Sequence, residues 1–488
     1  MATLARNYFN KGFNKYPGPF LARFTDAWRF ESVRSGKSHL NLQALHERHG
    51  DIVRLGPNSL SFSNPDALKA IYGLNNRLTK ISKGYVLQSL FGTQDQDYHM
   101  KLRRTVSNAF SMTSIVQYEP RVNDTVRIFL QRTEELFAKS EKRCNFIHWL
   151  QYFAFDVITE ITYSRRVGFV DRYEDVDGII AWLDKIFDYQ APVGQMPWLD
   201  KLFVKNPIRT ALSKYGYIDN SSGTARFSRA RMAERLSGTY KKDSMDLLTM
   251  FLKAQKENPD FFDDGRLLTM TTSIALAGSD TTAISLAGVF YFLLRNPRCY
   301  QKLNQEIDDA IITGLISDAE GIITWSDAQK LPYLHACIQE TFRMHPAIGM
   351  ILERLVPPQG MEICDQFIPG GTVVGCNPWV MHRRRDVFGE DIDTWRPERW
   401  LVNAADLRKM NEVMFQFGGG SRTCLGKHIA YLEMYKLIPS FLRRFQIKAC
   451  SDEEWDLHTK WFVKPREFDV VLTVKKSTSS KERLQNSQ

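Results

Sequence analysis

The chain has 488 residues, of which 25% are charged and 43% are apolar, a composition typical of a globular protein with a large core. Its seven cysteines contain no C-x-x-C pair, which argues against a disulfide scaffold and indicates a reducing, intracellular compartment. The net charge of +10 is not gathered into one basic block, so it argues against a nucleic-acid partner. An anionic membrane surface or an acidic redox partner explains this charge better, and a solvated basic surface without a partner is the alternative.

The N-terminal part of the chain predicts short elements only. Residues 1–15 lack the apolar stretch of a signal peptide, and we predict a segment without a membrane anchor. A stiff, proline-rich turn follows at 16–20. Alternating apolar residues at 52–55 and 59–63 predict a β-hairpin, and an Asn-Pro pair after it predicts a capped helix over 65–72.

A long, nearly uncharged run at 267–294 is the strongest helical signal. Its length would span a bilayer at about 1.5 Å per residue, but Asp280 at its middle would be costly in lipid, so we predict a core helix. Gly, Ser and two Thr residues around Asp280 lower the helix propensity. The Thr281 hydroxyl can bond the carbonyl of Ala277, which predicts a local kink and a groove that could hold dioxygen and a water. An ordinary buried polar pair is the alternative.

Two further segments lie between this helix and the last motif. Residues 331–345 predict a helix with Glu340 and Arg343 three apart on one face. The apolar stretch 347–352 predicts a strand that lines a pocket.

The stretch 417–426, Phe-Gly-Gly-Gly-Ser-Arg-Thr-Cys-Leu-Gly, predicts a metal-linked site. Three consecutive glycines let the backbone lie against a large flat group. Helical spacing from 425 to 445 places Cys424 at a helix N-terminus, which lowers a thiol pKa and favours the thiolate that ligates metals, and Arg422 adds a positive charge suited to a carboxylate. An incidental buried cysteine is the alternative.

These residues carry a family resemblance. Phe417, Gly420, Arg422, Cys424 and Gly426 match F-x-x-G-x-R-x-C-x-G, the haem-binding signature that is typical of the cytochrome P450 monooxygenases. The resemblance implies that Cys424 is the axial thiolate ligand of haem b iron. It also implies that the loop residues contact the haem, namely Phe417, Gly418, Gly420, Arg422 and Gly426.

Three other motifs resemble the family and occur in its order. Residues 277–282 match the A/G-G-x-D/E-T-T pattern, which implies that Thr281 orients oxygen and its proton-delivering water while Asp280 belongs to the proton relay. Glu340 and Arg343 form the E-x-x-R pair. The segment 397–400, Pro-Glu-Arg-Trp, resembles the element whose arginine, here Arg399, completes a buried Glu–Arg–Arg cluster that supports the cysteine loop.

The resemblance also implies contacts to the haem propionates and to a partner. The segment 98–104 resembles a helix with a W-x-x-x-R pattern, in which His99 replaces the usual tryptophan and Arg103 takes the arginine position. Arg354 is a further propionate candidate by its position. Three basic residues are candidate docking charges for a reductase: Lys101, Arg104 and Lys427.

The fold implied is mostly α with a small β region. A single large helical domain over 16–475 would hold haem between the long central helix and the helix after the cysteine. The family places a mobile lid at 191–198 and the tip of a last hairpin, 461–463, in the pocket. The polar tail 476–488 is predicted to be disordered.

The function implied is insertion of one oxygen atom from O2 into an apolar small molecule by hydroxylation, epoxidation or O-demethylation. Electrons would come from NADPH through a separate cytochrome reductase, since no dinucleotide motif is fused to this chain. The amino-acid sequence of 367–400 resembles that of filamentous-fungal members of the family, including the pisatin demethylase-like group of secondary metabolism. We therefore expect the cytosolic face of the endoplasmic reticulum with peripheral membrane contact. The alternatives are a haem-binding protein without turnover and a reductase-independent isomerase.

Overall fold

The computed structural model describes residues 2–74, 76, 78–81, 89–215, 223–238, 245–317 and 321–475. The predicted disordered tail lies outside these residues. Within them the chain forms these α-helices: α1 (Ala2–Tyr8), α2 (Ala27–Arg34), α3 (Ser38–His49), α4 (Pro65–Tyr72), α5 (Gln96–Val106), α6 (Met112–Gln117), α7 (Glu119–Thr133), α8 (Phe146–Tyr163), α9 (Phe169–Arg172), α10 (Ile179–Val193), α11 (Pro207–Lys214), α12 (Gly223–Leu236), α13 (Leu247–Glu257), α14 (Asp264–Arg295), α15 (Pro297–Ile312), α16 (Trp325–Ala328), α17 (Pro332–Met344), α18 (Pro378–Met381), α19 (Arg385–Phe388), α20 (Ala404–Val413) and α21 (Lys427–Arg444).

The strands are short and belong to four small sheets. They are β1 (Ile52–Gly56), β2 (Ser59–Phe62), β3 (Thr79–Lys80), β4 (Cys144–Asn145), β5 (Arg354–Leu355), β6 (Met361–Ile363), β7 (Gln366–Ile368), β8 (Val373–Cys376), β9 (Phe445–Ala449), β10 (Leu457–Thr459), β11 (Val463–Pro465) and β12 (Asp469–Val474). The predicted hairpin is present as antiparallel β1 and β2. The expectation of a mostly α fold with a small β region is confirmed.

The long helix α14 runs through the middle of the main hydrophobic core. It begins at a cap in which Asp263 accepts a hydrogen bond from the Arg266 amide, and it packs against α8, α12, α17 and α21. Among the described residues, α14 is the one helix long and apolar enough to cross a membrane, and 67% of its most apolar window is buried inside the protein. Because other helices enclose it, α14 is a core helix, as its central carboxylate predicted.

A glycine in α14 has a packing role that sequence reasoning did not assign. A Cβ added at Gly278 would lie 2.7 Å from Cγ1 of Ile158 on α8, so glycine is what lets the two helices approach closely. The Thr281 hydroxyl donates to the Ala277 carbonyl at 2.7 Å, as predicted. The chain stays α-helical from Asp264 to Arg295, so this hydrogen bond forms within a continuous helix, and the local kink stays a prediction.

A five-stranded sheet packs beside α4 and forms a second, smaller core. Its strand order is β1-β2-β8-β5-β3, with β2 and β8 parallel and the other neighbouring pairs antiparallel. The register of β3 and β5 places Lys80 directly opposite Arg354. Like charges in opposite positions destabilise a strand pair, so this pairing requires a compensating interaction.

The segment 347–352 is not the strand that its apolar composition predicted. It contains one isolated bridge, between Ile348 and Phe462, and is otherwise irregular. Its amides bond to different elements, because Gly349 N donates to Trp461 O while Leu352 N donates to Cys376 O. The segment therefore lies between two sheets and belongs to neither.

Candidate active site

The loop before α21 is folded by its own backbone hydrogen bonds. The Cys424 amide donates to the Phe417 carbonyl at 2.8 Å and the Gly418 amide donates to the Phe415 carbonyl at 2.9 Å. The Phe417 ring packs edge-on to Phe342 of α17 at 5.2 Å. The helix begins at Lys427 and not at Leu425 as predicted, so Cys424 precedes the helix by three residues.

Gly420 and Gly426 of the loop differ in whether the protein itself leaves room for a side chain at that position. Gly420 has φ +62°, and a Cβ there would lie 1.8 Å from the Tyr72 carbonyl oxygen, so the protein's own backbone excludes a side chain at this position. Gly420 is therefore required by the fold of the loop itself, and contact of this glycine with a flat group stays a prediction. Gly426 is different, because a Cβ built on it would meet no atom within 4 Å. Open space beside the start of α21 is what a large flat group needs.

The Cys424 side chain keeps an accessible surface although protein atoms closely surround it. We infer that this surface faces the interior of the protein. Burial raises the pKa of this thiol, while the amide groups of Gly426 and Lys427 and the charge of Arg103 lower it. The predicted direction was wrong for the protein alone, because desolvation outweighs the helix amides. The amides at the start of α21 nevertheless favour the thiolate.

One face of α14 opens to the interior as well. Ala277 is exposed and Thr281 is half-buried, although both belong to the middle of a core helix. The Thr281 hydroxyl donates its hydrogen bond to the Ala277 carbonyl oxygen. The lone pairs of the hydroxyl oxygen therefore remain available to accept a hydrogen bond from a ligand or water.

Asp280 lies on a different face of α14 from Thr281. Its carboxylate is buried, accepts a hydrogen bond from the Gln151 side chain of α8, and lies 3.8 Å from Lys464 Nζ of β11. Burial raises the pKa of Asp280, whereas the Lys464 charge opposes this rise. Sequence reasoning missed both Gln151 and Lys464, since neither belongs to a motif.

Basic side chains from three parts of the chain meet near the cysteine loop. Arg422 donates to the Thr93 carbonyl at 3.0 Å, and Arg103 donates to the Thr423 carbonyl at 2.8 Å. Arg354 is buried with its guanidinium 4.9 Å from the centre of the Tyr72 ring.

The buried His99 imidazole lies in the field of this basic cluster. Its pKa falls to about 3 through burial and then through the charges of Arg422, Arg103, Lys80 and Arg354, so the ring is neutral at pH 7. Its Nδ1 atom has no hydrogen-bond partner among the described residues. Sequence reasoning missed Lys80, which lies in a segment without a recognisable pattern.

The basic cluster has the character of an anion site. Within the described part of the chain, no carboxylate forms an ion pair with Lys80, Arg103, Arg354 or Arg422, and the Nε atom of Arg422 is buried without a partner. Arg354 is buried and the other three are half-buried, and cations removed from water without counter-charges are costly unless a ligand supplies the charge. A group with two carboxylates would satisfy these cations, and the propionates of haem fit this description.

A fully buried ion cluster lies beside the loop. Glu340 accepts hydrogen bonds from Arg343 Nη2 at 2.7 Å and from Arg399 Nε at 3.2 Å. The Trp400 indole and the Arg396 amide complete its contacts at 2.9 and 3.0 Å. The cluster joins α17, on which Phe342 contacts the cysteine loop, to the turn Pro397–Trp400.

The arrangement therefore fits haem b. An inward-facing thiol, open space at Gly426, an unpaired basic cluster, and the Ala277–Thr281 face of α14 are the features that such a group requires.

Comparison with known proteins agrees with this geometry. A family model described as Cytochrome P450 matches residues 17–472. The cytochrome P450 monooxygenase cicH of Emericella nidulans is 41% identical over 470 residues, covering 93% of each chain. A cytochrome P450 monooxygenase of Aspergillus terreus is 40% identical over 448 residues, which cover 88% of this chain and 89% of that protein. The chain therefore belongs to the cytochrome P450 family and is an oxygen-incorporating oxidoreductase whose cofactor is haem b.

Proposed function

We propose that this protein inserts one oxygen atom from O2 into an apolar small molecule, by hydroxylation, epoxidation or O-demethylation, in fungal secondary metabolism. The observation that carries the substrate class is a cavity of about 1420 Å³ that runs along α14 from Leu268 to Leu276. Aromatic and aliphatic side chains dominate its wall, among them Trp182, Phe187, Met350 and Trp461. Such a wall binds a substrate mainly by burying apolar surface.

The residues that would hold the cofactor follow from the site. The Cys424 thiolate would ligate the iron, and the basic cluster of Lys80, Arg103, Arg354 and Arg422 would pair with the propionates. Haem b, when bound, supplies the iron centre at which dioxygen is activated.

The chain's own residues then manage water and protons. The Thr281 oxygen accepts a hydrogen bond from a water on the inner face of α14, because its own proton is engaged by Ala277. Asp280, one residue earlier, holds a proton-exchanging carboxylate in a buried position. The apolar cavity excludes bulk water from the substrate.

A carbon monoxide difference spectrum of the reduced protein tests the thiolate ligation directly. We expect the wild type to give the thiolate-type spectrum, and Cys424→Ser to lose both this spectrum and substrate-dependent NADPH consumption. The matched control is Cys450→Ser, since Cys450 is an exposed cysteine that directly follows β9 and belongs to no motif. A Cys424→Ser protein that keeps the wild-type spectrum and turnover would overturn the assignment. Ligand-induced spectral shifts then identify the substrate, and the product distinguishes turnover from an inactive or isomerase-type relative.

The proposed electron donor is a separate NADPH-dependent cytochrome reductase. Lys101 and Arg104 are exposed on α5, Lys427 begins α21 beside the cysteine loop, and none of the three has an ion-pair partner among the described residues. An acidic partner surface would find these charges free. We expect Lys101→Glu to slow the first electron transfer at low salt, while Lys448→Glu on β9 should not. Equal rates for the two variants would remove this surface from the proposal.

Peripheral contact with the cytosolic face of the endoplasmic reticulum is the proposed location. Large apolar side chains are exposed around α11, namely Trp198, Leu202, Phe203 and Ile208. Such a patch favours a membrane interface. Binding to mixed neutral and anionic lipid vesicles should fall in Phe203→Ser but not in Phe367→Ser, a change at an exposed phenylalanine of the β6–β7 hairpin. Equal binding would argue against this contact.

A further inference from the structure

Asp280 belongs to a chain of charged side chains that leads out of the core. Lys464 Nζ on β11 lies 3.3 Å from Asp184 Oδ1 of α10, 3.2 Å from Gln151 Oε1 of α8 and 3.8 Å from Asp280 Oδ1. The last distance is longer than a hydrogen bond, so the direct link between Lys464 and Asp280 is charge attraction. Gln151 bridges the two, because its amide donates to Asp280 while its oxygen accepts from Lys464.

The exposure of these side chains changes in steps along the chain. The Asp184 side chain is 50% exposed, that of Lys464 is 20% exposed and that of Asp280 is 3% exposed. The Lys464 ammonium thus lies between the two carboxylates, and the series runs from solvent to α14. Among the described residues, Lys464 is the cation that forms an ion pair with Asp280.

We propose that Lys464 is a positioning residue that keeps its own proton, holds the Asp280 carboxylate in place and links it to Asp184, so that Asp280 can pass protons to the Thr281 side of α14. This inference rests on the proposed monooxygenase function, because only such a reaction consumes protons at this place. Lys464 does not belong to the cavity wall, and it acts through Asp280.

The electrostatics of the site agree with this role. Burial raises the pKa of Asp280, the charge of Lys464 lowers it, Asp184 raises it by repulsion, and the hydrogen bond from Gln151 lowers it. Removing Lys464 would leave only the Gln151 hydrogen bond to oppose the effect of burial on this pKa. Besides these groups, His148 on α8 lies in the field of Lys464 and Asp184, and burial lowers its pKa, so it is neutral at pH 7.

The first test compares how efficiently electrons are used for product formation. In Lys464→Met we expect product formed per NADPH to fall about tenfold, with the lost electrons appearing as hydrogen peroxide and with an increased solvent isotope effect. Lys464→Arg should restore most of the yield, since arginine keeps the positive charge. The matched control is Lys460→Met, which removes a lysine of the same hairpin that pairs with Asp188 of α10 at 3.6 Å and has no contact with Asp280. A normal yield in Lys464→Met, or an equal loss in Lys460→Met, would overturn the proposal.

The second test needs no turnover. Urea unfolding of the haem-loaded wild type, Lys464→Met, Asp280→Asn and the double variant forms a double-mutant cycle. Lys464→Met leaves a buried carboxylate without its cation, whereas the double variant does not. Each substitution raises the unfolding equilibrium constant by some factor relative to the wild type. We expect the factor for the double variant to be about tenfold smaller than the product of the two single-variant factors. Additive effects would overturn the proposal.

The pH dependence of the same unfolding data has a defined sign. Because burial raises the pKa of Asp280 above its ordinary 3.8, the penalty in Lys464→Met is absent below that value and grows as pH rises through the folded pKa. The difference between wild type and Lys464→Met should therefore be small near pH 4 and larger near pH 8. A difference that does not change with pH would contradict the role of Asp280.

These results separate the proposal from the proposed function. A wild type without the thiolate-type carbon monoxide spectrum refutes the function. A wild type with this spectrum and a high product yield, together with unchanged yield in Lys464→Met, refutes only the role of Lys464.

Discussion

The buried ion cluster behind the cysteine loop allows a quantitative prediction. We consider Glu340→Gln, which keeps the shape of the side chain but removes its charge and turns one acceptor into a donor. Glu340 and Arg343 are both 0% exposed, and Arg343 has no other carboxylate partner among the described residues. Arg399 keeps a second carboxylate, because its Nη1 lies 2.9 Å from Asp391 Oδ1. The substitution therefore leaves one buried guanidinium with carbonyl acceptors only.

The expected cost follows from that count. Removing one partner of a buried ion pair costs about 3–5 kcal/mol. Arg343 would keep hydrogen bonds to the carbonyl oxygens of His382, Ile392 and Thr394, so we expect a cost in the lower part of this range, about 3–4 kcal/mol. This corresponds to a change of about a hundredfold or more in the unfolding equilibrium constant. We also expect the haem absorbance to be lost at a lower urea concentration, because α17 packs against the loop through Phe342.

Urea unfolding followed by tryptophan fluorescence and by haem absorbance measures both effects. The matched control is Glu390→Gln, since Glu390 pairs with Arg385 at 3.1 Å but its side chain is 86% exposed, so its loss should cost less than about 1 kcal/mol. The double variant Glu340→Leu with Arg343→Met should be less destabilised than Glu340→Gln, because it leaves no charge unpaired. If Glu340→Gln unfolds like the control, the cluster does not hold the fold together and our reasoning is wrong.

Three other expectations concern the loop, the pH range and the cofactor. Gly420→Ala should destabilise the protein by about 3 kcal/mol or more, because the added Cβ would meet the Tyr72 carbonyl. Gly426→Ala should leave the free energy of unfolding nearly unchanged but lower the haem content, because a Cβ there meets no protein atom. Equal stability of the two variants would contradict this expectation. Although burial acts to raise it, hydrogen bonds from arginine lower the pKa of Asp391 to about 2, so the stability it contributes is present above pH 3.8 and is lost as pH falls toward 2. Asp391→Asn should flatten the stability profile over that window, and an unchanged profile would count against the pairing. Arg354→Met should speed haem transfer to apomyoglobin about tenfold without weakening the cofactor-free protein, because an unpaired buried cation is then removed; an unchanged transfer rate would argue against a propionate contact.

Much of the fold follows from local patterns. The β1–β2 hairpin, the helix α4 with its Asn64 cap and the core helix α14 lie where periodicity and capping predicted them. The prediction failed at 347–352, where composition indicated a strand. An apolar run shows that a segment is buried, but its hydrogen-bond partners lie on elements far away in the chain, so local sequence does not specify a strand there.

The site shows the same division between motif and environment. The motif around Cys424 indicated the thiol that we propose as the iron ligand, and the pattern around Thr281 indicated a residue on the more exposed face of α14. Lys80 and Lys464 carry no such signal, because each acts through its position opposite or beside residues distant in sequence. The direction of the Cys424 pKa was also missed, since burial depends on the packing of the whole chain.

What the amino-acid sequence determined by itself is the chemistry of the centre: a thiol before a helix, a hydroxyl and a carboxylate in a core helix, and an acid with two arginines. These features depend on residue types at short spacing, which a linear chain specifies directly. Only the tertiary structure decided which charges lack partners, which side chains face the cavity and how Asp280 connects to the surface. Those properties arise when residues hundreds of positions apart come within a few ångströms, where desolvation and charge pairing set their energies.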